Sequence, residues 1–204
     1  MNKTVAVFVA MKFEIPNILL QSKDKIVKIN NNNVITTISG ISQQYTKSVV
    51  ERICYQSSPD ILIKLGFCGA VDKNLRRSDL VVVNEIRYKR KKISTSFDKC
   101  HAAIATFNKL GCHLGKMQTV DQLAISQKGI YPDISAVDME AFVVAKVGSE
   151  FNIPVVVIKA VSDIIPERFS FLALLYNIIA ITNSCKIGKN KLNLFMHEFL
   201  SIYQ

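Results

Sequence analysis

The chain contains no tryptophan, and that absence weakens one class of function at the outset. Binding of nucleic acid without a dedicated reading motif depends on aromatic rings that stack on bases. The one strongly basic run, Arg87-Tyr88-Lys89-Arg90-Lys91-Lys92, carries a single aromatic. It reads as a solvated loop after a strand, able to rest by charge on phosphates or on an anionic membrane surface. No apolar stretch reaches the ~20 residues that a bilayer requires. The longest worth testing, Phe169 to Thr182, includes Ser170 and Asn177 and is predicted to be a buried helix. Cysteines are few and odd in number (Cys54, Cys68, Cys100, Cys112, Cys185), and no secretory signal is evident. A disulfide framework is therefore not expected, and the compartment reads as a reducing cytoplasm. No repeat of solenoid period occurs.

What is present is enough for a core. With 204 residues, 49% hydrophobic and 21% charged, the chain fits one domain, residues 1–204, and excludes disordered or fibrous classes. Lys and Arg outnumber Asp and Glu by 26 to 16, a formal charge of +10, which favours anionic partners without choosing among them.

Thr4 to Ala10, Val34 to Ser39 and Ile61 to Leu65 are nearly continuous β-branched and apolar runs. Strands apolar on both faces predict a covered, largely parallel sheet. Val49, Val50, Ile53 and Cys54 repeat at helical spacing after Ser42, a suitable N-cap, so Val34 to Leu65 reads as βαβ. Asn30 to Asn33 reads as a turn. Leu80 to Asn84 and Val155 to Ala160 continue as strands, with a helix from Glu140 to Phe151 between them. Two helices, Phe169 to Ser184 and Lys191 to Tyr203, are predicted after that, separated by a stop at Gly188. The fold class is α/β: a mixed, mostly parallel central sheet flanked by helices.

Several segments carry chemical possibilities. Cys100-His101 and Cys112-His113 pair suitable zinc ligands, but adjacent side chains on one element diverge and the spacing is wrong, so no metal is expected. Gly66-Phe67-Cys68-Gly69 lies at the carboxyl end of a strand, where open α/β sheets bind ligands. It lacks the third glycine of a dinucleotide fingerprint and reads as a strand-ending turn, so no nucleotide cofactor is expected. Glu14, Glu140 and Asp163 each lie against an apolar segment. A carboxyl group that loses hydration there has a raised pKa and can serve as an acid or base near neutrality.

Ala10-Met11-Lys12-Phe13-Glu14, Ser39-Gly40-Ile41, Gly66-Phe67-Cys68-Gly69-Ala70, Val137-Asp138-Met139-Glu140 and Ala160-Val161-Ser162-Asp163 occur in that order. This order resembles the nucleoside phosphorylase and nucleosidase superfamily, above all the methylthioadenosine/S-adenosylhomocysteine nucleosidases and the hopanoid-pathway nucleosidases that release adenine from adenosylhopane. The likeness runs from about Thr4 to Asp163. It implies a cofactor-free hydrolase for a small-molecule nucleoside, with no nucleic-acid partner, commonly a homodimer. By the same resemblance Glu14 activates water, Met139 and Glu140 bind the ribose, Asp163 is the acid and Ser162 orients it, while Gly69, Phe67 and Leu123 border the substrate.

The chain departs from the family pattern at three places. Phe67 stands where phosphate-using relatives and the methylthioadenosine enzymes carry a small hydroxyl residue, so a phosphate ligand is lost, and Ala10 to Leu20 holds no arginine to grip that anion. Hydrolysis is thus favoured over phosphorolysis. Leu123 stands where an aromatic would stack on adenine, and the segment between Val83 and Cys100 is short and basic. A phosphorylase, a catalytically inert nucleoside-binding protein on the same scaffold and a basic nucleic-acid binder stay open as alternatives.

Overall fold

A computed structural model describes residues 2–203. Its strands are β1 Thr4–Val9, β2 Val27–Ile29, β3 Asn32–Ile38, β4 Ile61–Ala70, β5 Leu80–Tyr88, β6 Lys91–Ser94, β7 His113–Thr119, β8 Ala136–Asp138 and β9 Val155–Ile164. Its helices are α1 Gln43–Ser57, α2 His101–Leu110, α3 Ala141–Glu150 and α4 Phe171–Ile202, with a short 3-10 turn at Lys12–Glu14. The nine strands form one sheet. The pairs β1/β3, β1/β4, β4/β9, β5/β7 and β7/β8 are parallel. The pairs β2/β3, β4/β8, β5/β6 and β5/β9 are antiparallel. Because β9 pairs with both β4 and β5, the strands β4, β9, β5, β7 and β8 close into a ring.

The apolar strands alternate between two covered faces, as a period of two residues requires. Ala6, Phe8 and Leu62 pack with Val49, Val50 and Ile53 of α1 and Val144 and Val147 of α3. Val5, Val7 and Ile63 face the other way, against Ala103 of α2 and Leu192, Phe195 and Phe199 of α4. Ser42 caps α1 as its sequence position implies, accepting from the Tyr45 backbone N–H at 3.1 Å.

Five expectations need correction. Gly66 to Gly69 is no turn: it is the second half of β4, held by β9 on one edge and β8 on the other. The basic run is the β5–β6 hairpin and not a free loop, and three of its cations are engaged. Arg87 makes paired bonds to Asp133 at 2.9 and 2.8 Å and one to Glu85 at 2.9 Å, while Lys89 lies 3.4 Å from Asp121 and Lys92 3.9 Å from Glu85. The turn of the asparagine run is confined to Asn30 and Asn31, since Asn32 is buried in β3 and donates to the Leu200 carbonyl at 3.1 Å. The two carboxyl-terminal helices are one, α4, which runs straight through Gly188. There a Cβ would lie 2.8 Å from that of Ala160, so glycine serves close helix–sheet packing and not termination. Finally, Phe169 to Thr182 is not buried. A helix of 32 residues is ~48 Å long, and its first buried residue is Ser184.

Candidate active site

The carboxyl ends of β1, β4 and β9 and the start of α3 surround a cavity of about 200 Å³. Glu14, Glu140 and Asp163 all line it. So do Gly69, Phe67, Leu123, Met139 and Ser162; every residue that the resemblance assigns to the site reaches this one space. Leu123 does so from a loop and stays 74% exposed, a loose wall compared with the buried carboxylates.

Glu14 reaches the cavity because the chain tightens after β1. The 3-10 turn folds the side chain back, and its Oε2 accepts from the backbone N–H groups of Ala10 (2.6 Å) and Met11 (3.1 Å). The carboxylate lies flat over β4, where Gly66 has φ +143° and a Cβ would sit 3.0 Å from Glu14 Oε1. Only glycine adopts that backbone without strain and leaves that space.

Ser162 and Asp163 are consecutive, yet both reach the cavity. Alternation along a strand would send them to opposite faces, but a bulge intervenes: Cys68 pairs with Val161 and Gly69 with Asp163, leaving Ser162 as the extra residue. The Ser162 hydroxyl lies 2.6 Å from Asp163 Oδ1 and 3.1 Å from the Cys68 carbonyl oxygen. Burial raises the Asp163 carboxyl above the ordinary carboxylate range, against the opposing pull of the Ser162 hydroxyl and the Arg77 charge. Serine has one proton to donate, so both contacts are hydrogen bonds together only when the Asp163 carboxyl donates to Ser162. Geometry and charge agree on a carboxyl group able to hold a proton.

Beneath the cavity lie two residues that the sequence reading missed, Lys64 of β4 and Lys159 of β9, with 0% and 1% of their side chains exposed. Lys159 Nζ is 2.9 Å from Asp138 Oδ2 and 3.9 Å from Glu140 Oε2. Lys64 Nζ is 3.5 Å from Glu140 Oε2 without a hydrogen-bond partner among the described residues. Burial and the neighbouring Lys159 charge lower the Lys64 pKa. Lys159 is also desolvated, but Asp138, Glu140 and Glu14 outweigh that and raise it. Asp138 is held low by Lys159 despite its burial. It also accepts from Thr119 Oγ1 at 2.8 Å and from the Ala141 N–H at 2.9 Å, so one carboxylate joins β7, β9 and the first turn of α3. The signal was present: a lone lysine interrupts each of the runs Ile61 to Leu65 and Val155 to Ala160. A buried charge persists only when paired.

Phe67 stacks on Phe13 with ring centroids 5.9 Å apart and makes that wall apolar. The Cys-His pairs lie away from the cavity, on α2 and β7. Among the described residues no group of three or more His, Cys, Asp or Glu is placed to hold a metal ion.

No protein-family model matches the chain. A methylthioadenosine/S-adenosylhomocysteine nucleosidase of Haemophilus influenzae is 27% identical over 161 residues, covering 67% of this chain and 70% of that protein. The corresponding enzyme of Staphylococcus aureus is 24% identical over 161 residues, covering 67% and 71%. Among solved structures, the nucleosidase of Neisseria meningitidis in complex with methylthio-immucillin-A superposes with a TM-score of 0.77 at 21% identity, covering 96% of this chain and 99% of that one. Futalosine hydrolase of Helicobacter pylori gives 0.79 at 19% identity, covering 96% and 98%. In sequence and in fold, the chain resembles the methylthioadenosine/S-adenosylhomocysteine nucleosidases of the nucleoside phosphorylase and nucleosidase superfamily.

Proposed function

We propose that the protein is a hydrolytic N-glycosidase that cleaves a purine, adenine in the first instance, from a 5′-substituted ribonucleoside. The observation that carries this reading is the convergence of Glu14, Glu140 and Asp163 on one cavity, where burial raises the Asp163 carboxyl above the ordinary carboxylate range. Breaking the bond between C1′ and the base leaves positive charge on the ribose and negative charge on the purine. A proton delivered to N7 makes the purine leave as a neutral molecule. Asp163 supplies it from Oδ2, in the arrangement where the Ser162 hydroxyl turns from the Cys68 carbonyl to donate to Oδ1 and so fixes the direction of the protonated oxygen. Glu140, at the start of α3, faces the ribose hydroxyls and stabilises the cationic sugar. Glu14, locked by two backbone N–H groups, takes a proton from the water that attacks C1′. Lys159 places a buried cation 3.9 Å from Glu140 beneath the cavity. The stacked rings of Phe67 and Phe13 offer no charge-assisted donor to an anion, which supports water over phosphate as nucleophile.

Two further elements belong to the same reading. A cytoplasmic setting is supported by five unpaired cysteines. A homodimer rests on the resemblance, and the exposed Ile41 and Tyr45 near the cavity offer a partner apolar area. The test is adenine release from methylthioadenosine, S-adenosylhomocysteine and a long-chain adenosyl lipid, with and without phosphate. Free adenine with the 5-substituted ribose as co-product supports hydrolysis. The 5-substituted ribose 1-phosphate as the product identifies a phosphorylase, and binding without turnover identifies an inert binding protein.

A further inference from the structure

The amino-terminal half of α4 is unlike the rest of the surface. From Phe169 to Cys185 no charged residue or histidine occurs, while Arg168 precedes the segment and Lys186 and Lys189 follow it. Its apolar side chains stand in solvent: Leu172 is 78% exposed, Ile179 77%, Phe171 and Tyr176 63% each, and Ile178 60%. At ~100° per residue these five span roughly 160° of the helix circumference, on the side opposite the buried Ser184 and Gly188. By length and composition α4 could cross a membrane. Its second half, however, is core, with Leu192, Phe195, Met196 and Phe199 fully buried against the sheet. The second half of the helix is therefore core, while the first half touches the protein along one side only, through Asn177 to the Ile164 carbonyl and the Arg77 side chain and through Ile181 at the cavity wall, and leaves its other side bare.

We propose that this bare side of α4 is a docking surface for an anionic phospholipid bilayer, with the helix lying in the interface and not spanning it. An apolar arc without charge, carrying Phe, Leu and Tyr and flanked at both ends by cations, is the pattern of an interfacial helix. The surplus of 26 basic over 16 acidic residues suits an anionic lipid surface. Two observations disfavour a second copy of the chain as the occupant. Pairing of two helices seals a narrow seam and would leave most of this arc in water. In either orientation such a pair would also bring cations of one copy against cations of the other. Glu167, beside Arg168, gives no relief because Lys73 holds it at 2.7 Å. The sequence placed membrane contact on the Arg87–Lys92 run, three of whose five cations have acidic partners within the protein; α4 supplies the apolar area that the hairpin lacks.

The absence of tryptophan makes the test direct, because Tyr176→Trp introduces a single fluorescent reporter on the face. The full chain is titrated with phosphatidylcholine vesicles and with mixed phosphatidylcholine/phosphatidylglycerol vesicles. A blue shift with at least ~10-fold stronger partitioning onto the anionic vesicles is expected, together with at least ~10-fold loss in Leu172→Glu/Ile179→Glu. The double variant should keep the wild-type circular dichroism and thermal midpoint, which separates lost docking from lost folding. The proposal is overturned by equal partitioning of wild type and double variant. It is also overturned if Lys91→Glu/Lys92→Glu, and not the α4 variant, abolishes binding. A wild type that ignores vesicles but sediments as a dimer, monomeric in the α4 variant, would assign the face to a second copy instead. Vesicle binding is read without turnover, so its failure and a failure of the hydrolase reading remain distinct.

Discussion

Lys159 Nζ lies 2.9 Å from Asp138 Oδ2, and each of these side chains is 1% exposed. Lys64, nearby and equally buried, has no hydrogen-bond partner among the described residues. The two lysines should therefore respond differently to the same substitution. Lys159→Met strands Asp138 as an unpaired buried charge and is expected to cost ~3–5 kcal/mol in denaturant unfolding. Lys64→Met removes an ammonium that burial already disfavours and leaves Glu140 with Lys159 at 3.9 Å, so the loss should be smaller. Equal costs would show that the two amines share one role.

The same pair sets an acid limit on stability. The folded-state pKa of Asp138 is depressed, so its contribution is present above the ordinary carboxylate value and lost as pH falls through the folded value. Lys159 is raised, so it stays charged throughout that window. Unfolding followed from neutral pH downward should lose stability progressively in wild type, and Asp138→Asn should flatten that loss while lowering stability at neutral pH.

Asp163 should limit activity from the alkaline side. Its carboxyl is raised mainly by burial, so the folded protein holds that proton more tightly than the unfolded chain does. Activity, and this group's contribution to stability, should both fall as pH rises from the ordinary carboxylate value through the raised one. Asp163→Asn is expected to retain fold and substrate affinity while reducing turnover by ~10²–10⁴. Steady-state kinetics across pH, with the variant lacking the alkaline limb, checks this. A wild-type rate in the variant would mean that the purine leaves unprotonated.

Gly66→Ala should damage catalysis more than folding. The new Cβ meets the Glu14 carboxylate at 3.0 Å on a backbone with φ +143°. The strain is ~1–3 kcal/mol. The displaced carboxylate should lower turnover by ~10-fold or more. Comparing the thermal midpoint with kcat separates the two effects, and a variant that loses stability but no activity would place the base elsewhere.

At Gly188 helix propensity and packing oppose each other. Alanine would favour a helix interior by ~1 kcal/mol. Its Cβ would lie 2.8 Å from the Ala160 Cβ and 3.1 Å from the Phe67 ring, and overpacking of that kind costs ~1–3 kcal/mol. Gly188→Ala is therefore expected to lower the thermal midpoint, and a rise would mean that α4 can move off the sheet.

Much of this was set by the sequence acting locally. The apolar runs of β1, β3, β4 and β9 can be satisfied only between two layers of helix, and Ser42 starts α1 through a hydrogen bond that spans three residues. Glu14, Glu140 and Asp163 could be singled out because each lies against an apolar segment, and the other candidate residues through the resemblance. What needed tertiary structure were relations between distant segments. Whether Gly66 to Gly69 turns or continues depends on β8 and β9 pairing with it. That Ser162 and Asp163 enter one cavity depends on a bulge opposite Cys68. Gly188 looks like a helix stop until Ala160 and Phe67 are seen against it, and the segment after Phe169 looks like core because hydropathy records composition and not whether the sheet extends beneath it. Lys64 and Lys159 show the division most clearly: a lysine within an apolar strand is visible in the sequence, but its meaning depends on Asp138 and Glu140, which arrive from β8 and the start of α3.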